Sequence, residues 1–300
     1  MTQIKYGRAT SFVIGRIFVP ILFPIARHVK DQLFLRRMNN PLLKPSPISR
    51  PLSYITRAWG YFGRVFRREF DDYALRRYST YIRRHYSQSG RGYFSYSNLK
   101  EEEKAALFGQ PEGRLQGFID HYGDLLNYQD GDTIFDAGCG RGQNVKTLLE
   151  ALPTSPIDAM DISAEAVSVI TAAIKSPRVK TWAGDLTDPA VLGDLQDNAY
   201  DHVVISHVLS VILGNGIDAT QNVRKEIIGN LARLARKTVL IIDSPAIIAA
   251  EERFEIEQRD RGWFASSILP ICEDLPTQVV VLTSSGSIGV LMRKHSGDRD

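Results

Sequence analysis

One stretch of seven residues limits this chain more than any other. Thr133-Ile134-Phe135 is a short apolar run with strand preference, and it ends in Asp136-Ala137-Gly138-Cys139-Gly140-Arg141-Gly142. Val145 to Leu152 then places Val145, Leu148, Leu149 and Leu152 on one helical face. The predicted unit is strand, glycine loop, helix. Glycines let a backbone approach a ligand closely and take positive φ. The helix that follows presents the positive end of its dipole.

The glycines run G-x-G-x-G and position 143 is Gln, so the dinucleotide pattern G-x-G-x-x-G is not met. Asp136 ends the strand just before the glycines. A carboxylate there repels a pyrophosphate and favours a ligand with an ammonium or sulfonium group. S-adenosylmethionine carries both. Further pieces follow in order. Ile157 to Met160 predicts a second strand, closed by Asp161, an acid placed to accept hydrogen bonds from ribose hydroxyls. Ser163 caps a predicted helix over Ala164–Ile174. Val179 to Ala183 predicts a third strand before Gly184-Asp185-Leu186, where a carboxylate can accept from an adenine amine. Tyr200 to His207 predicts a fourth strand, Thr238 to Asp243 a fifth, and Gln278–Thr283 with Ser287–Met292 a hairpin around Ser284-Ser285-Gly286.

From about residue 112 to 294 the chain resembles the class I S-adenosylmethionine-dependent methyltransferases. The segment Asp136–Gly142 matches their first motif, and Asp161, Asp185 and Asp201–Ser206 match later ones in order and spacing. The resemblance implies an α/β, Rossmann-like fold: a seven-stranded, mostly parallel sheet with an antiparallel last strand and helices on both faces. It implies S-adenosyl-L-methionine as cofactor. By position it sets Asp136 near the methionine amino group, with Ala137, Gly138, Cys139, Gly140 and Gly142 along the methionine and ribose path. Asp161 and Ile162 fall at the ribose, Asp185 and Leu186 at the adenine, and Ser206 and His207 beside the reactive methyl.

The chain divides by charge. Residues 1–100 hold 19 Lys and Arg against 4 Asp and Glu, and the remainder holds 18 against 30. The expected domains are therefore a basic, aromatic-rich helical extension over 1–110 and a methyltransferase domain over 111–300. Phe12 to Ala26 is apolar, but it spans 15 residues and contains Arg16, Pro20 and Pro24. A membrane-spanning helix needs about 20 apolar residues. With one acid, Asp31, in the first 68 residues, a mitochondrial presequence is the targeting alternative. Between Tyr54 and Tyr96, arginines interleave with aromatics at helical spacing. Three readings stay open there: packing on the rest of the protein, an interfacial anchor on anionic lipid, or a nucleic-acid surface.

The sulfonium is an activated donor, so the protein must align an acceptor and exclude water. A hydroxyl acceptor also calls for a general base. His207 is the best-placed histidine for that role, and backbone bonding at a strand end is its structural alternative; His121 is the next. Tyr93 and Tyr96 before the core, and Trp263 and Phe264 in the long Ser244–Pro276 connection, are candidate substrate-pocket walls. Cys139 and Cys272 are the only cysteines and neither sits in a nucleophile motif. No cluster has metal-ligand spacing, so no metal is expected. The expected function is methyl transfer, at oxygen, to a lipid, lipid-linked glycan or other small acceptor near a membrane surface, in a cytoplasmic protein peripheral to the membrane. An RNA methyltransferase and a non-catalytic cofactor-binding partner subunit are the alternatives.

Overall fold

The computed structural model describes residues 114–243, 268–284 and 287–294, together with Arg76. The basic extension, Tyr93, Tyr96, Trp263, Phe264 and most of the Ser244–Pro276 connection lie outside the described residues. The chain divides into two compact units, residues 1–78 with 215–217 and residues 79–214 with 218–300. Within the first, Arg76 is helical and exposed. The elements below build the second.

They run in the order α1 (Arg114–Leu126), β1 (Ile134–Ala137), α2 (Gln143–Ala151), β2 (Ile157–Asp161), α3 (Ala164–Ala173), β3 (Val179–Ala183), α4 (Pro189–Gly193), β4 (Tyr200–Ser206), α5 (Ile217–Leu234), β5 (Ala235–Asp243), α6 (Leu269–Glu273), β6 (Thr277–Ser284) and β7 (Ser287–Lys294). The seven strands form one sheet in the order β3-β2-β1-β4-β5-β7-β6. The first five pair in parallel, and β7 runs antiparallel to both β5 and β6. This is the expected Rossmann-like sheet with its antiparallel strand and closing hairpin.

Alternation along the strands divides the core into two layers. Phe135, Ala137, Val203, Ile205 and Ile241 pack on one face with Ile227, Ile228 and Leu231 of α5. Ile134, Val204, Leu240 and Ile242 pack on the other with Phe118 of α1, Val145 and Leu148 of α2 and Ile170 of α3. Strands covered on both faces read as near-continuous apolar runs, and these do. Phe135 lies between Trp182, at a centroid distance of 5.6 Å, and Tyr200, at 5.1 Å. This aromatic stack ties β1, β3 and β4 into one layer, at a favourable stacking distance.

The consequence for function is positional. Chain order reverses between β1 and β4, which are neighbours in the sheet. A crevice opens at such a switch point outside the carboxyl ends of the strands. The loop 138–142 leaves β1 there, and His207 leaves β4 there.

Candidate functional site

Asp136 sits at the third position of β1, on the same face as Ile134, and is fully buried. Asn144 Nδ2 donates to its Oδ1 over 3.0 Å, while its Oδ2 is buried without a hydrogen-bond partner. Burial pushes the Asp136 carboxyl up to about 7; the Asn144 donor works against this and the nearby Asp161 charge adds to it. A cationic, N–H-donating ligand group would supply both the missing hydrogen bond and the missing charge.

The glycine loop is shaped by what its neighbours demand. Gly138, Gly140 and Gly142 take φ of 83°, 52° and 79°. At Gly138 a Cβ would also collide with Val208 of the segment after β4. The loop is strapped to β2, with Gly138 N–H and Cys139 N–H both donating to Met160 O, over 2.7 and 2.8 Å. Gly140 N–H donates to Asp161 Oδ2 over 2.9 Å, and Ser163 N–H donates to Asp161 Oδ1 over 2.9 Å. Asp161 therefore fixes the loop with one edge of its carboxylate, and each oxygen keeps a further lone pair for a ligand hydroxyl. Burial raises its pKa, and the two backbone donors restrain the rise. Gly142 caps α2 in the left-handed region, so the first turn of that helix starts directly under the loop.

The remaining expected residues line the same edge of the sheet. Ile162 is half-buried beside Asp161. Asp185 Oδ1 accepts from Thr187 N–H and Thr187 Oγ1 over 2.9 and 2.7 Å, which turns the chain after β3, and Leu186 is buried behind it. Ser206 ends β4. His207 follows with φ of 55°, and its N–H donates to Ile242 O over 2.7 Å. His207 Nδ1 lies 3.9 Å from Asp243 Oδ1, and its Nε2 is buried without a partner. Burial lowers its pKa, Arg114 lowers it further, and Asp243 opposes both. His207 is therefore a neutral imidazole at physiological pH, the form a proton acceptor needs.

His121 is exposed on α1, and its Nδ1 lies 2.6 Å from Gly117 O, a local helical contact. Cys139 is buried, and its thiol is pushed well above its ordinary range by burial beside Asp136 and Asp161, so it stays protonated and unreactive. Among the described residues no group of three His, Cys, Asp or Glu side chains is placed to hold a metal ion. Sequence reasoning missed Asn144, Val208, Arg224 and Asp243. Only Asp243 left a local signal, as an acid closing an apolar strand.

The sequence matches the family model described as a methyltransferase domain over residues 135–241. That span runs from the strand before the glycine loop to β5 and contains the switch point. The chain carries a class I S-adenosylmethionine-dependent methyltransferase domain. Its cofactor is S-adenosylmethionine, and the unpartnered Asp136 Oδ2 beside three positive-φ glycines fits the cationic end of that molecule. A comparison with curated proteins finds no match. Similar solved structures include a S-adenosylmethionine-dependent methyltransferase from Aquifex aeolicus, at 17% identity, 65% of this chain, 100% of that one and a TM-score of 0.47. An O-methyltransferase family protein from Burkholderia thailandensis matches at 14% identity over 98% of this chain and 100% of that one, with a TM-score of 0.49. A putative methyltransferase in complex with the Trm112 activator of Haloferax volcanii matches at 15% identity, 65% and 98% coverage and a TM-score of 0.48.

Proposed function

We propose that this methyltransferase domain moves a methyl group from S-adenosylmethionine to an oxygen of a lipid, lipid-linked glycan or other small acceptor at a membrane surface. The observation that carries the cofactor half is the buried, unpartnered Asp136 Oδ2 at the switch point. In this reading Asp136 meets the methionine ammonium. Ala137 and the loop Gly138, Cys139, Gly140 and Gly142 line the methionine and ribose. Asp161 with Ile162 holds the ribose, and Asp185 with Leu186 borders the adenine. Ser206 and His207 face the reacting end. The bound cofactor supplies an electrophilic methyl on a sulfonium. The chain's own task is to align the acceptor, exclude water and take a hydroxyl proton, and His207 Nε2 is a neutral, unpartnered acceptor for that proton.

The acceptor half rests on the basic, apolar amino-terminal sequence, read as a peripheral membrane anchor of a cytoplasmic protein ahead of a domain that starts near residue 111. Tyr93, Tyr96, Trp263 and Phe264 are its proposed pocket walls. Among the described residues no helix is long and apolar enough to cross a membrane. The same +15 excess over residues 1–100 favours RNA as the second reading.

Calorimetric titration of the full chain with S-adenosylmethionine and S-adenosylhomocysteine tests the cofactor half. Micromolar binding of both is expected, and Asp161→Ala is expected to weaken it by about 1–3 kcal/mol. No binding would leave a degenerate site, or a pocket completed only by a partner or the acceptor; the non-catalytic cofactor-binding subunit would bind but not turn over. Membrane association tests the acceptor half. An apolar anchor survives a high-salt wash and needs detergent, whereas RNA binding collapses with salt.

A further inference from the structure

The largest fully buried side chain among the described residues carries a charge. Arg224 lies on α5 with no exposed surface, one turn before Ile228 of the apolar layer. Asp243, 1% exposed, ends β5 and is the carboxylate whose charge opposes the fall in the Arg224 pKa that burial produces, to about 10. A well-packed apolar pair at these positions would fill the core without the cost of desolvating two charges. The pair sits at the functional end of the sheet, and both members reach the segment 207–214.

Asp243 Oδ2 accepts Ser210 N–H over 3.1 Å, and Asp243 Oδ1 lies 3.9 Å from His207 Nδ1. Arg224 Nε donates to Ile212 O over 3.3 Å. His207 N–H is fixed to Ile242 O, and Gly214 N–H donates to Thr220 Oγ1 over 3.0 Å. The segment is thus fastened at positions 207, 210, 212 and 214. Between the first two fastenings Val208 bears on Gly138 of the glycine loop. One carboxylate thus accepts the backbone N–H three residues after His207 and lies 3.9 Å from the side of its ring opposite Nε2.

We propose that Asp243 and Arg224 are positioning residues for His207: together they fix the segment after β4 and aim the Nε2 edge of the imidazole at the reacting centre. The inference rests on the reading of His207 as the residue beside the acceptor, but not on the identity of the acceptor. His207 feels Asp243 from β5 and Arg114 from α1, with Arg224 on α5 behind Asp243. Asp243 supplies the opposing charge that an imidazole needs as it gains a proton.

The test uses the full chain with histidines carbon-13-labelled at Cε1, the His207 signal being the one lost in His207→Gln. Asp243→Asn keeps an acceptor for Ser210 N–H and removes the charge. The His207 titration midpoint is expected to fall by roughly one pH unit, and Asp243→Glu, which returns the charge, is expected to recover part of that shift. Arg224→Lys keeps a cation but not the Nε bond to Ile212, and is expected to shift or broaden the His207 signal. Purely structural roles would lower the melting temperature of these variants and leave the His207 midpoint in place, which overturns the proposal. Should Asp243→Asn not fold, the midpoint in Asp243→Glu is read instead, and a value equal to wild type overturns the proposal equally. Wild-type binding of S-adenosylhomocysteine is measured alongside. Its absence refutes the cofactor reading, while a His207 response to Asp243 substitution supports the positioning role on its own.

Discussion

Burying Asp136 with one oxygen unpaired works against folding and toward ligand binding. Its carboxyl is raised to about 7 by burial, so the folded protein without cofactor holds this proton more tightly than the unfolded chain does. The sign follows. Between about pH 4, the unfolded value, and pH 7, the unfolded state releases the proton first, and this group's contribution to stability declines as pH rises. Asp136→Asn removes the ionisation while an amide oxygen still accepts from Asn144 Nδ2. It is therefore expected to raise the melting temperature of the ligand-free protein at pH 8, by about 2–4 °C for each kcal/mol regained. The same substitution removes the counter-charge for a cationic ligand, and S-adenosylhomocysteine affinity is expected to fall roughly tenfold or more. Melting curves and calorimetry on one preparation check both. A variant that binds as well as wild type would place the ammonium elsewhere.

The elements differ in how much of them the sequence displays, for physical reasons. β1 and β2 are read from short apolar runs because a strand buried on both faces needs little else, whereas β3, a half-exposed edge strand, shows only Val179, Trp182 and Ala183 among polar residues. The cap of α3 is read from Ser163, whose Oγ accepts Ala166 N–H over 3.2 Å. Ser163→Ala is expected to cost about 1 kcal/mol of stability, measurable as a shift in the denaturant midpoint without change in slope. A larger loss would mean that the Ser163 turn also supports Asp161. α5 is not legible in the same way. Its buried face carries Arg224 and Thr220 among Ile227, Ile228 and Leu231, and that charge masks the apolar period. β5 starts three residues before the apolar run Thr238–Asp243 because Ala235 pairs with Tyr200 of β4, and Arg236 and Lys237, in the register shift that follows, find Asp201 and Asp132 as partners. The site divides likewise. Asp136, the glycines, Asp161 and His207 stand next to strand ends and are visible in one dimension. Asn144, Val208, Arg224 and Asp243 act on residues far along the chain or around a helical turn, and only the assembled sheet brings them together.

At the scale of the domain, the two ends of the sheet are built differently. At the carboxyl ends Asp136 Oδ2 and His207 Nε2 are buried without partners. At the amino ends of β1, β4 and β5, Asp132, Asp201, His202 and Thr238 are held by one another and by neighbouring donors. Asp132 Oδ2 meets His202 Nε2 at 2.8 Å, and Lys237 Nζ donates to Asp132 Oδ1 over 2.6 Å. Thr238 Oγ1 lies 2.7 Å from His202 Nδ1. Burial keeps His202 neutral, so Nε2–H donates to Asp132 and Nδ1 accepts the Thr238 hydroxyl. Thr133 N–H, Thr133 Oγ1–H and Arg236 Nη2 all donate to Asp201 Oδ2, over 3.0, 3.0 and 2.8 Å.

This network makes the acid limit of the fold predictable. Burial alone would raise the Asp201 carboxyl, but its Thr133 and Arg236 donors outweigh that and hold it at about 2. A carboxylate depressed in the folded state contributes stability that is complete above its unfolded value near pH 4 and is lost as pH falls through 2. Asp132 is lowered as well, despite its burial, by Lys237, Gln129 and His202. His202, lowered by burial, adds a loss of the same sign once pH drops below its unfolded value near 6.5. The stability this network contributes is thus lost in part from pH 6.5 to 4 through His202, where Asp136 acts in the opposite sense, and more steeply from 4 to 2 through the carboxylates. Asp201→Asn keeps an acceptor for Thr133 and cannot titrate. Its denaturant midpoint is expected to lie below wild type at pH 7 and to converge with it toward pH 2. Curves that run parallel from pH 7 to pH 2 would mean that Asp201 does not set the acid limb, and that the cluster at this end of the sheet is held by packing rather than by charge.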